Sequence, residues 1–138
     1  MITPAVYVFT HRYLNTMQQG IQSAHAIAEL FTKYAEQPEY FKKVIDWSAN
    51  HKTLRILDAG SGKKFEDTYR WYTEFVKKFD LSHAEFREPD INDMITAFCF
   101  VLSESDISSI KLHDYDPLAI RPYEGYHLTT LSSFKSAR

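Results

Sequence analysis

The distribution of hydrophobic and polar residues along the chain predicts a strand that leads directly into a long helix. The run AVYVFT, residues 5–10, follows Pro4 and is short and rich in strand-forming residues, so we interpret it as a buried β-strand. From Asn15 to about Gln37, apolar residues recur at steps of four and three, a spacing that places them on one face of a helix. The rest of the chain is organised around this pair of elements.

Two parallel stripes run along this predicted helix. The stripe that we expect to face the core is apolar and contains Met17, Ile21, Ala24, Ala28 and Phe31. The second stripe has the same spacing and is polar, with Gln18, Gln22, His25 and Glu29. Asn15 is the predicted N-cap, and Gln18 lies three residues later, where it completes a capping box. The polar stripe is either a wall of a functional site or a solvated face.

The remaining patterns predict a single α/β domain. We expect a second helix over residues 39–49, strands over 53–57, 83–88 and 94–102, a third helix after the turn at 58–62, and a short helix over 103–112. This order predicts helices that cover a four-stranded mixed sheet within residues 1–112. Residues 113–138 show little apolar periodicity and end in a Ser-rich stretch, so we predict an irregular C-terminal extension packed on the domain.

Composition and charge exclude several functional classes. The chain has 138 residues, 44% of them hydrophobic, which suits one soluble globular domain. Its net charge of −2 excludes a strongly basic nucleic-acid-binding domain, so RNA binding would require a local basic patch. The single cysteine, Cys99, excludes an internal disulfide and a multi-cysteine metal site, and we expect it to be buried in its apolar run. Since we find no signal-peptide pattern and no membrane-spanning apolar run, we expect a cytoplasmic protein with no membrane partner, no metal and no cofactor.

Several polar side chains are candidates for chemistry. His25 lies between two alanines that leave room around its ring, and an imidazole can act as a general base near neutral pH. It could equally be a surface histidine bonded to a neighbouring loop. Glu88, Asp90 and Asp93 place three carboxylates in the turn after the third strand, where they could supply a base or simply favour the turn.

The turn DAGSGKK, residues 58–64, could bind an anion. It follows a predicted strand and opens a helix, so its free backbone N–H groups together with Lys63 and Lys64 would suit a phosphate. The P-loop pattern is not met, and an ordinary strand-to-helix turn explains the two glycines equally well. If these lysines and Lys52 converge on one face, they could hold an RNA backbone.

Two H-x-T triplets, at residues 51–53 and 127–129, provide an alternative function. Paired triplets of this kind mark two-histidine phosphoesterases, in which both imidazoles, here His51 and His127, would face one phosphate. The first triplet enters a predicted strand, but the second lies in the weakly patterned C-terminal region. The chain also lacks the duplicated halves of that fold, so the phosphoesterase is the less favoured alternative.

The ordered set of motifs resembles the type II peptidyl-tRNA hydrolases, in particular a divergent branch found in bacteria and their phages. The segment QQGIQSAHA, residues 18–26, is similar to the family's A-A-Q-C-S-H-A motif, with Gln22 and His25 in register. The parts that follow in the family's order are NHKT at residues 50–53, FREPD at residues 86–90 and Thr96. The resemblance covers residues 5–102.

This resemblance implies a three-layer α/β/α sandwich around a mixed four-stranded sheet, and hydrolysis of the ester between a peptide and tRNA. That reaction needs an activated water and a group that stabilises the oxyanion. The catalytic residues at positions that match the family's site region are His25, Gln22, Glu88, Asp90 and Thr96. The candidate substrate-binding residues are His11, Arg12, Gln18, Lys52, Lys63 and Lys64.

Three departures from the family bear on activity. The family's later D-A-G-x-T segment is missing as such, so Glu88 or Asp90 is the nearest carboxylate and Thr96 the nearest hydroxyl. After the first strand, where related sequences often carry Arg and Asp, this chain has His11 and Tyr13. The family's active site is associated with a lysine early in the first helix, and this chain has Gln18 at that position. An amide cannot supply positive charge to a developing oxyanion, so His11 or Arg12 would have to do so. The alternative is a catalytically inactive homologue that binds RNA, a nucleotide or a host protein. The expected partner is tRNA or another RNA, in the host cytoplasm if the chain is of phage origin, and a homodimer is left open.

Overall fold

The computed structural model describes residues 2–114 and 128–137, which form four strands and five α-helices. The strands are β1 (Ala5–Thr10), β2 (Leu54–Asp58), β3 (His83–Glu88) and β4 (Met94–Leu102). The helices are α1 (Thr16–Tyr34), α2 (Pro38–Asp46), α3 (Gly62–Lys78), α4 (Glu104–Asp114) and α5 (Leu128–Ser133). A π-helical turn, Trp47–His51, continues α2, and a 3₁₀ turn, Pro89–Ile91, follows β3. The bounds predicted for β1, β3 and β4 are confirmed.

The strands form one open mixed sheet in the order β2-β1-β4-β3. β1 and β2 are parallel, with Thr10 opposite Asp58 at their carboxyl ends, and β4 is antiparallel to both β1 and β3. α1 and α2 cover one face of the sheet, while α3, α4 and α5 cover the other. The predicted fold class, an α/β domain with a mixed four-stranded sheet between helical layers, is confirmed.

Side-chain size differs between the two faces of the sheet, because successive residues of a strand point to opposite faces. Toward α1 and α2 the sheet presents small or β-branched residues: Val6, Val8, Ala84, Ala97, Cys99 and Val101. Toward α3 it presents mostly large residues: Tyr7, Phe9, Phe98, Phe100 and Leu102. Rings of α3 pack on this second set, with centroids 4.5 Å apart for Tyr72 and Phe98. α3 therefore meets the sheet through an aromatic layer, whereas α1 packs on small side chains.

The face of α1 that packs on the sheet differs from the predicted one. Its buried residues are Gln19, Ser23, Ala26, Leu30 and Tyr34. Met17 is 75% exposed and Ile21 is 47% exposed, so the predicted apolar stripe faces mostly outward. The two stripes share their spacing but start two residues apart, which at about 100° per residue places them on nearly opposite sides of the helix. The sheet beneath the helix presents small side chains, and Ala26, Leu30 and Tyr34 pack on them in the observed orientation.

The C-terminal part of the described chain is more regular than the predicted irregular extension. It includes α5, and the residues after α5 lie along the outer edge of β2, where Ser136 forms an antiparallel bridge with Leu57. The backbone N–H of Asp58 donates to the carbonyl oxygen of Lys135 at 2.8 Å. The predicted boundary at residue 112 falls inside α4, and residues 115–127 lie outside the described residues.

Burial and helix hydropathy bear on two further predictions. Cys99 is buried, as predicted, and burial raises the pKa of its thiol to about 12. Among residues 2–114 and 128–137, no helix combines the length and the apolar character needed to cross a membrane.

Candidate functional site

Most of the predicted site residues lie at one end of the sheet. At this end the parallel strands β1 and β2 finish, the antiparallel strand β4 begins, and β3 finishes. α1 also starts there, because only residues 11–15 separate it from β1. In open α/β sheets, the carboxyl ends of parallel strands are the usual location of a ligand site. The topology thus gathers side chains from four elements in the region where such a site is expected.

A chain of hydrogen bonds joins α1 to both β3 and β4 at this end. The Thr96 hydroxyl donates to Gln22 Oε1 at 3.1 Å, and Gln22 Nε2 donates to Glu88 Oε2 at 3.0 Å. The two bonds use the acceptor and the donor side of the same amide, so they fix the orientation of the Gln22 side chain. Three of the five predicted catalytic residues are therefore in contact, although they come from three different elements.

A bulge in β4 directs Thr96 toward α1. Phe86 of β3 is paired with Ala97 of β4, and the next residue of β3, Arg87, is paired with Ile95. Thr96 is therefore an extra residue that β3 does not match. Regular alternation would turn its side chain to the aromatic side of the sheet, away from α1. Because of the bulge, the side chain of Thr96 points toward α1 instead, and bulges beside active sites often redirect a side chain in this way. The buried hydroxyl of Thr96 thereby reaches Gln22.

His25 and Asp90 stand at the rim of this group. His25 lies one turn after Gln22 on α1, and its exposed ring packs on Phe86 with centroids 4.4 Å apart. Asp90 is exposed in the turn after β3, and its backbone N–H donates to Glu88 Oε1 at 3.4 Å. The histidine ring is thus available beside the Gln22–Glu88 pair, while Asp90 supports Glu88 through its backbone.

Gln18 has a structural role at the start of α1. Its backbone N–H donates to Asn15 Oδ1 at 2.8 Å, and the backbone N–H of Asn15 donates to Gln18 Oε1 at 2.9 Å. The predicted capping box is confirmed by this reciprocal pair. The amide oxygen of Gln18 is therefore engaged by the helix cap, and the side chain brings no positive charge to the site.

His11 lies just after β1, on the α3 side of the sheet. Its ring packs on Phe65 with centroids 4.7 Å apart, and its backbone N–H donates to the carbonyl oxygen of Thr96 at 3.3 Å. Nδ1 accepts from the backbone N–H of Tyr13 at 3.2 Å, so the neutral ring carries its proton on Nε2. Burial lowers the pKa of His11, and the nearby Asp58 carboxylate offsets only part of that shift. At neutral pH His11 is therefore a neutral hydrogen-bond donor rather than a source of positive charge.

A second group, Arg12 and Asp58, lines a cleft of about 460 Å³ at the same end of the sheet. Arg12 donates to Asp58 Oδ2 from Nε at 3.1 Å and from Nη2 at 2.9 Å. The backbone N–H of Gly60 donates to Asp58 Oδ1 at 2.7 Å. Desolvation alone would raise the pKa of Asp58, but these hydrogen bonds outweigh it and hold the pKa below its usual value. The other lining residues are Thr10, Leu14, Gln19, Lys135, Ser136 and Ala137.

The three predicted substrate-binding lysines do not converge. Lys64 lies beside the cleft, close enough to Asp58 for its charge to contribute to the lowered pKa of that carboxyl. Lys63 is exposed one residue earlier, and its Nζ lies 3.6 Å from Asp67 Oδ1. Lys52 precedes β2 at the amino end of the parallel strands, roughly 20 Å from their carboxyl ends by strand length. Lys52 therefore does not belong to this end of the sheet.

Of the polar residues that line the cleft, Arg12 is a predicted substrate-binding residue, whereas Asp58, Gln19 and Lys135 are not predicted as members of a site. Asp58 and Arg12 carry opposite charges just after two predicted strands, and this pattern is the one indication that the two could meet. Gln19 is polar but only 7% exposed, because it lies on the buried face of α1, where its Nε2 donates to the carbonyl oxygen of Leu14 at 3.0 Å. Lys135 lies in a region without a recognisable strand pattern, although its backbone pairs with β2.

Of the two histidines predicted for the alternative phosphoesterase, His51 lies among the described residues. Nε2 of His51 lies 3.2 Å from Asp46 Oδ2, at the amino end of the parallel strands and away from Gln22. His127 lies outside the described residues. Within the part of the chain that the structure describes, no group of three or more His, Cys, Asp or Glu side chains is arranged to hold a metal ion.

Comparison with known proteins assigns no family to this chain. No protein-family model matches it, and no curated protein matches it either. The functional reading therefore depends on the geometry of the two groups described above, on the chemistry of their side chains and on the resemblance of the sequence motifs.

Proposed function

We propose that this chain is a peptidyl-tRNA hydrolase-like protein that cleaves the ester between a peptide and tRNA. The observation that carries the proposal is the hydrogen-bonded chain of Thr96, Gln22 and Glu88 at the carboxyl end of the sheet. The resemblance to the type II family puts Gln22 in register with the family's helix motif, and Glu88 or Asp90 and Thr96 are the carboxylate and hydroxyl nearest to its later D-A-G-x-T segment. The contact of Thr96, Gln22 and Glu88 in the fold supports the proposal, because the motifs that carry them are separated by up to 74 residues.

In the proposed reaction, Glu88 is the general base that removes a proton from the attacking water. Oε2 of Glu88 is already held by Gln22, which orients the carboxylate and leaves its other lone pairs for a water molecule. The hydroxyl proton of Thr96 is donated to Gln22, so Thr96 and Gln22 position the carboxylate rather than attack the ester. His25, beside this group at the rim, would protonate the ribose oxygen that leaves when the ester C–O bond breaks.

A hydrolysis assay with purified protein and labelled peptidyl-tRNA tests this assignment. Glu88→Gln keeps a partner for Gln22 but removes the base, so we expect the rate to fall by at least about 100-fold. Glu29→Gln is the matched control, because Glu29 is an exposed carboxylate on the same helix as Gln22. Wild-type turnover no faster than that in buffer would contradict the proposal, as would equal losses in the two variants.

A second candidate, a catalytically inactive homologue that binds RNA or a nucleotide, is favoured by Gln18. The amide replaces the family's lysine and takes part in the capping box, so the position offers no charge to an oxyanion. Gln18→Lys discriminates between the two candidates. If this variant gains activity that the wild type lacks, the scaffold is competent and the native chain is a binder. If the wild type is already active and Gln18→Lys changes little, the hydrolase is supported.

A further inference from the structure

We propose that the cleft between Arg12 and Lys135 is a binding site for the phosphate group of a nucleotide or of an RNA strand. The cleft is separate from the hydrogen-bonded chain of Thr96, Gln22 and Glu88, with which it shares no lining residue. The proposal stands on the geometry and charge of the cleft alone. It therefore does not depend on whether the chain cleaves peptidyl-tRNA.

The position and size of the cleft suit a small ligand. Thr10 and Asp58 come from the carboxyl ends of the two parallel strands. Leu14 comes from the segment before α1, and Gln19 comes from the start of α1. Small-molecule sites in proteins typically measure about 300–1,000 Å³. The volume of about 460 Å³ lies within that range and could hold a phosphate group together with part of the molecule that carries it.

The charges around the cleft favour an anion. Arg12 and Lys135 line it, and Lys64 lies close enough to influence the pKa of Asp58. Asp58 supplies the one negative charge among the lining residues, so the two cations Arg12 and Lys135 against this one anion give the lining a net charge of +1. The whole chain has a net charge of −2. Positive charge is therefore concentrated at this point of an otherwise acidic protein, which attracts anionic ligands locally.

Asp58 holds Arg12 in an orientation that leaves part of its guanidinium available. The two bonds to Asp58 use Nε and Nη2, along one edge of the planar group, while the side chain remains 53% exposed. A guanidinium fixed in this way can present its remaining N–H groups to phosphate oxygens without first losing the entropy of an unfixed side chain.

Contacts with the segment 58–60 keep both lysines near the cleft. The carbonyl oxygen of Lys135 accepts the backbone N–H of Asp58 at 2.8 Å, which fixes the lysine backbone beside the carboxylate. Gly60 has φ +80, and a Cβ there would lie 2.7 Å from Cγ of Lys64, so the aliphatic part of Lys64 lies directly over this glycine. The backbone of Lys135 therefore lies next to Asp58, and the aliphatic part of Lys64 lies over Gly60, two residues after Asp58.

Calorimetric titration of the full chain with AMP tests the proposal. We expect AMP to bind the wild type, and we expect Lys135→Gln and Arg12→Gln each to weaken binding roughly fivefold to tenfold, since each removes one charged contact. The control is Lys42→Gln, because Lys42 is an exposed lysine on α2, at the far end of α1 from the cleft. Thermal unfolding of each variant verifies that it is folded before titration.

Two additional probes identify the source of the phosphate and separate this proposal from hydrolysis. A short RNA oligonucleotide without terminal phosphates should bind with the same dependence on Lys135 if the site accepts backbone phosphates. If AMP binds and this RNA does not, the site takes a phosphate monoester. Glu88→Gln should bind AMP as the wild type does, even where hydrolysis is lost. The proposal is overturned if neither AMP nor RNA binds, or if Lys42→Gln weakens binding as much as Lys135→Gln.

Discussion

The two faces of the sheet are made by the same strands but differ in how they pack and in what they carry. The face toward α3 is closed by interlocking rings, such as Phe9 stacked on Phe98 with centroids 5.2 Å apart. The face toward α1 has small side chains, and it accepts polar residues of the helix, since Gln19 and Ser23 are both buried there. The aromatic face provides most of the large buried side chains, whereas the α1 face ends in the candidate site.

This difference indicates how the molecule combines stability with a polar site. Large rings exclude water and fix the strands, but they leave little room for a hydrogen-bonded group that must also reach solvent. Small residues let α1 approach the sheet, so a glutamine on the helix can bond to Thr96 of β4 and Glu88 of β3 at once. We therefore expect substitutions on the aromatic face to change stability most, and those on the α1 face to change function more than stability.

The largest expected effect is on the aromatic face. Phe98 is fully buried and contacts rings of β1 and α3, so Phe98→Ala leaves a cavity that neighbouring rings cannot easily fill. We expect the free energy of unfolding to fall by about 3–5 kcal/mol, measured by urea denaturation. A loss below about 1.5 kcal/mol would mean that the aromatic layer is not the main source of stability.

The next effect tests how closely α1 packs on the small face. Ala26 is fully buried against this face, so Ala26→Leu should overpack it and lower the free energy of unfolding by about 1–3 kcal/mol. Ala28→Leu is the control, because Ala28 is exposed on the same helix, and we expect it to change stability by less than about 0.5 kcal/mol. Equal losses of stability in Ala26→Leu and Ala28→Leu would show that the side of α1 that carries Ala26 does not pack on the sheet.

Removal of one hydroxyl at the bulge should separate function from stability. Thr96→Val keeps the shape of the side chain but leaves Gln22 Oε1 without its donor, so we expect a stability loss of about 1 kcal/mol. If the chain is a hydrolase, the rate should fall far more than this loss of stability would explain. Thr32→Val, at an exposed site of α1, provides the reference for stability. A stability loss as large as that of Phe98→Ala would remove the contrast between the two faces.

The smallest expected effect depends on pH and concerns His11, where β1 meets the site. Burial lowers the pKa of His11 in the folded state, so the unfolded chain binds a proton first as the pH falls. The stability contributed by the neutral ring is therefore complete above pH 6.5, the ordinary pKa of histidine, which we take for the unfolded chain. It is lost as the pH falls through the lower pKa that His11 has in the folded state. We expect His11→Gln to make the fall in unfolding free energy below about pH 6.5 shallower. His83, whose pKa burial also lowers, contributes a fall of the same sign to both proteins.

The sequence predicts the elements of this fold well but predicts which side of α1 is buried poorly. Strands β1, β3 and β4 are marked by continuous or alternating apolar residues, and that local pattern is sufficient for their bounds. Two stripes of α1 have the same spacing, however, and the choice between them depends on the size of the sheet residues beneath the helix. Spacing alone contains no information about that partner, so the exposed stripe with Met17 and Ile21 was the wrong choice.

The sequence predicts those residues of the candidate site that lie in a recognisable motif, but it does not predict the contacts between distant segments. Gln22 lies in a helical motif and Glu88 at a strand end, so both can be identified from the sequence. The contact of Thr96 with Gln22 depends on a bulge, which has no glycine or other recognisable residue to mark it. The cleft depends on Lys135, which meets Asp58 through backbone pairing with β2. Such pairing uses main-chain atoms and leaves little trace in the side-chain pattern.

The exposure of two methionines has a consequence for the chemistry of the protein under oxidising conditions. Met17 is 75% exposed beside Gln18, and Met94 is 55% exposed and is paired with Glu88. Peroxide converts an exposed thioether to a polar sulfoxide, whereas Cys99 is buried and its high pKa keeps it in the unreactive thiol form. Oxidation would therefore first change the surface at the start of α1 and of β4 and leave the core intact. Among the described residues, the exposed thioethers lie at the same end of the sheet as the candidate site, whereas the thiol of Cys99 lies in the core.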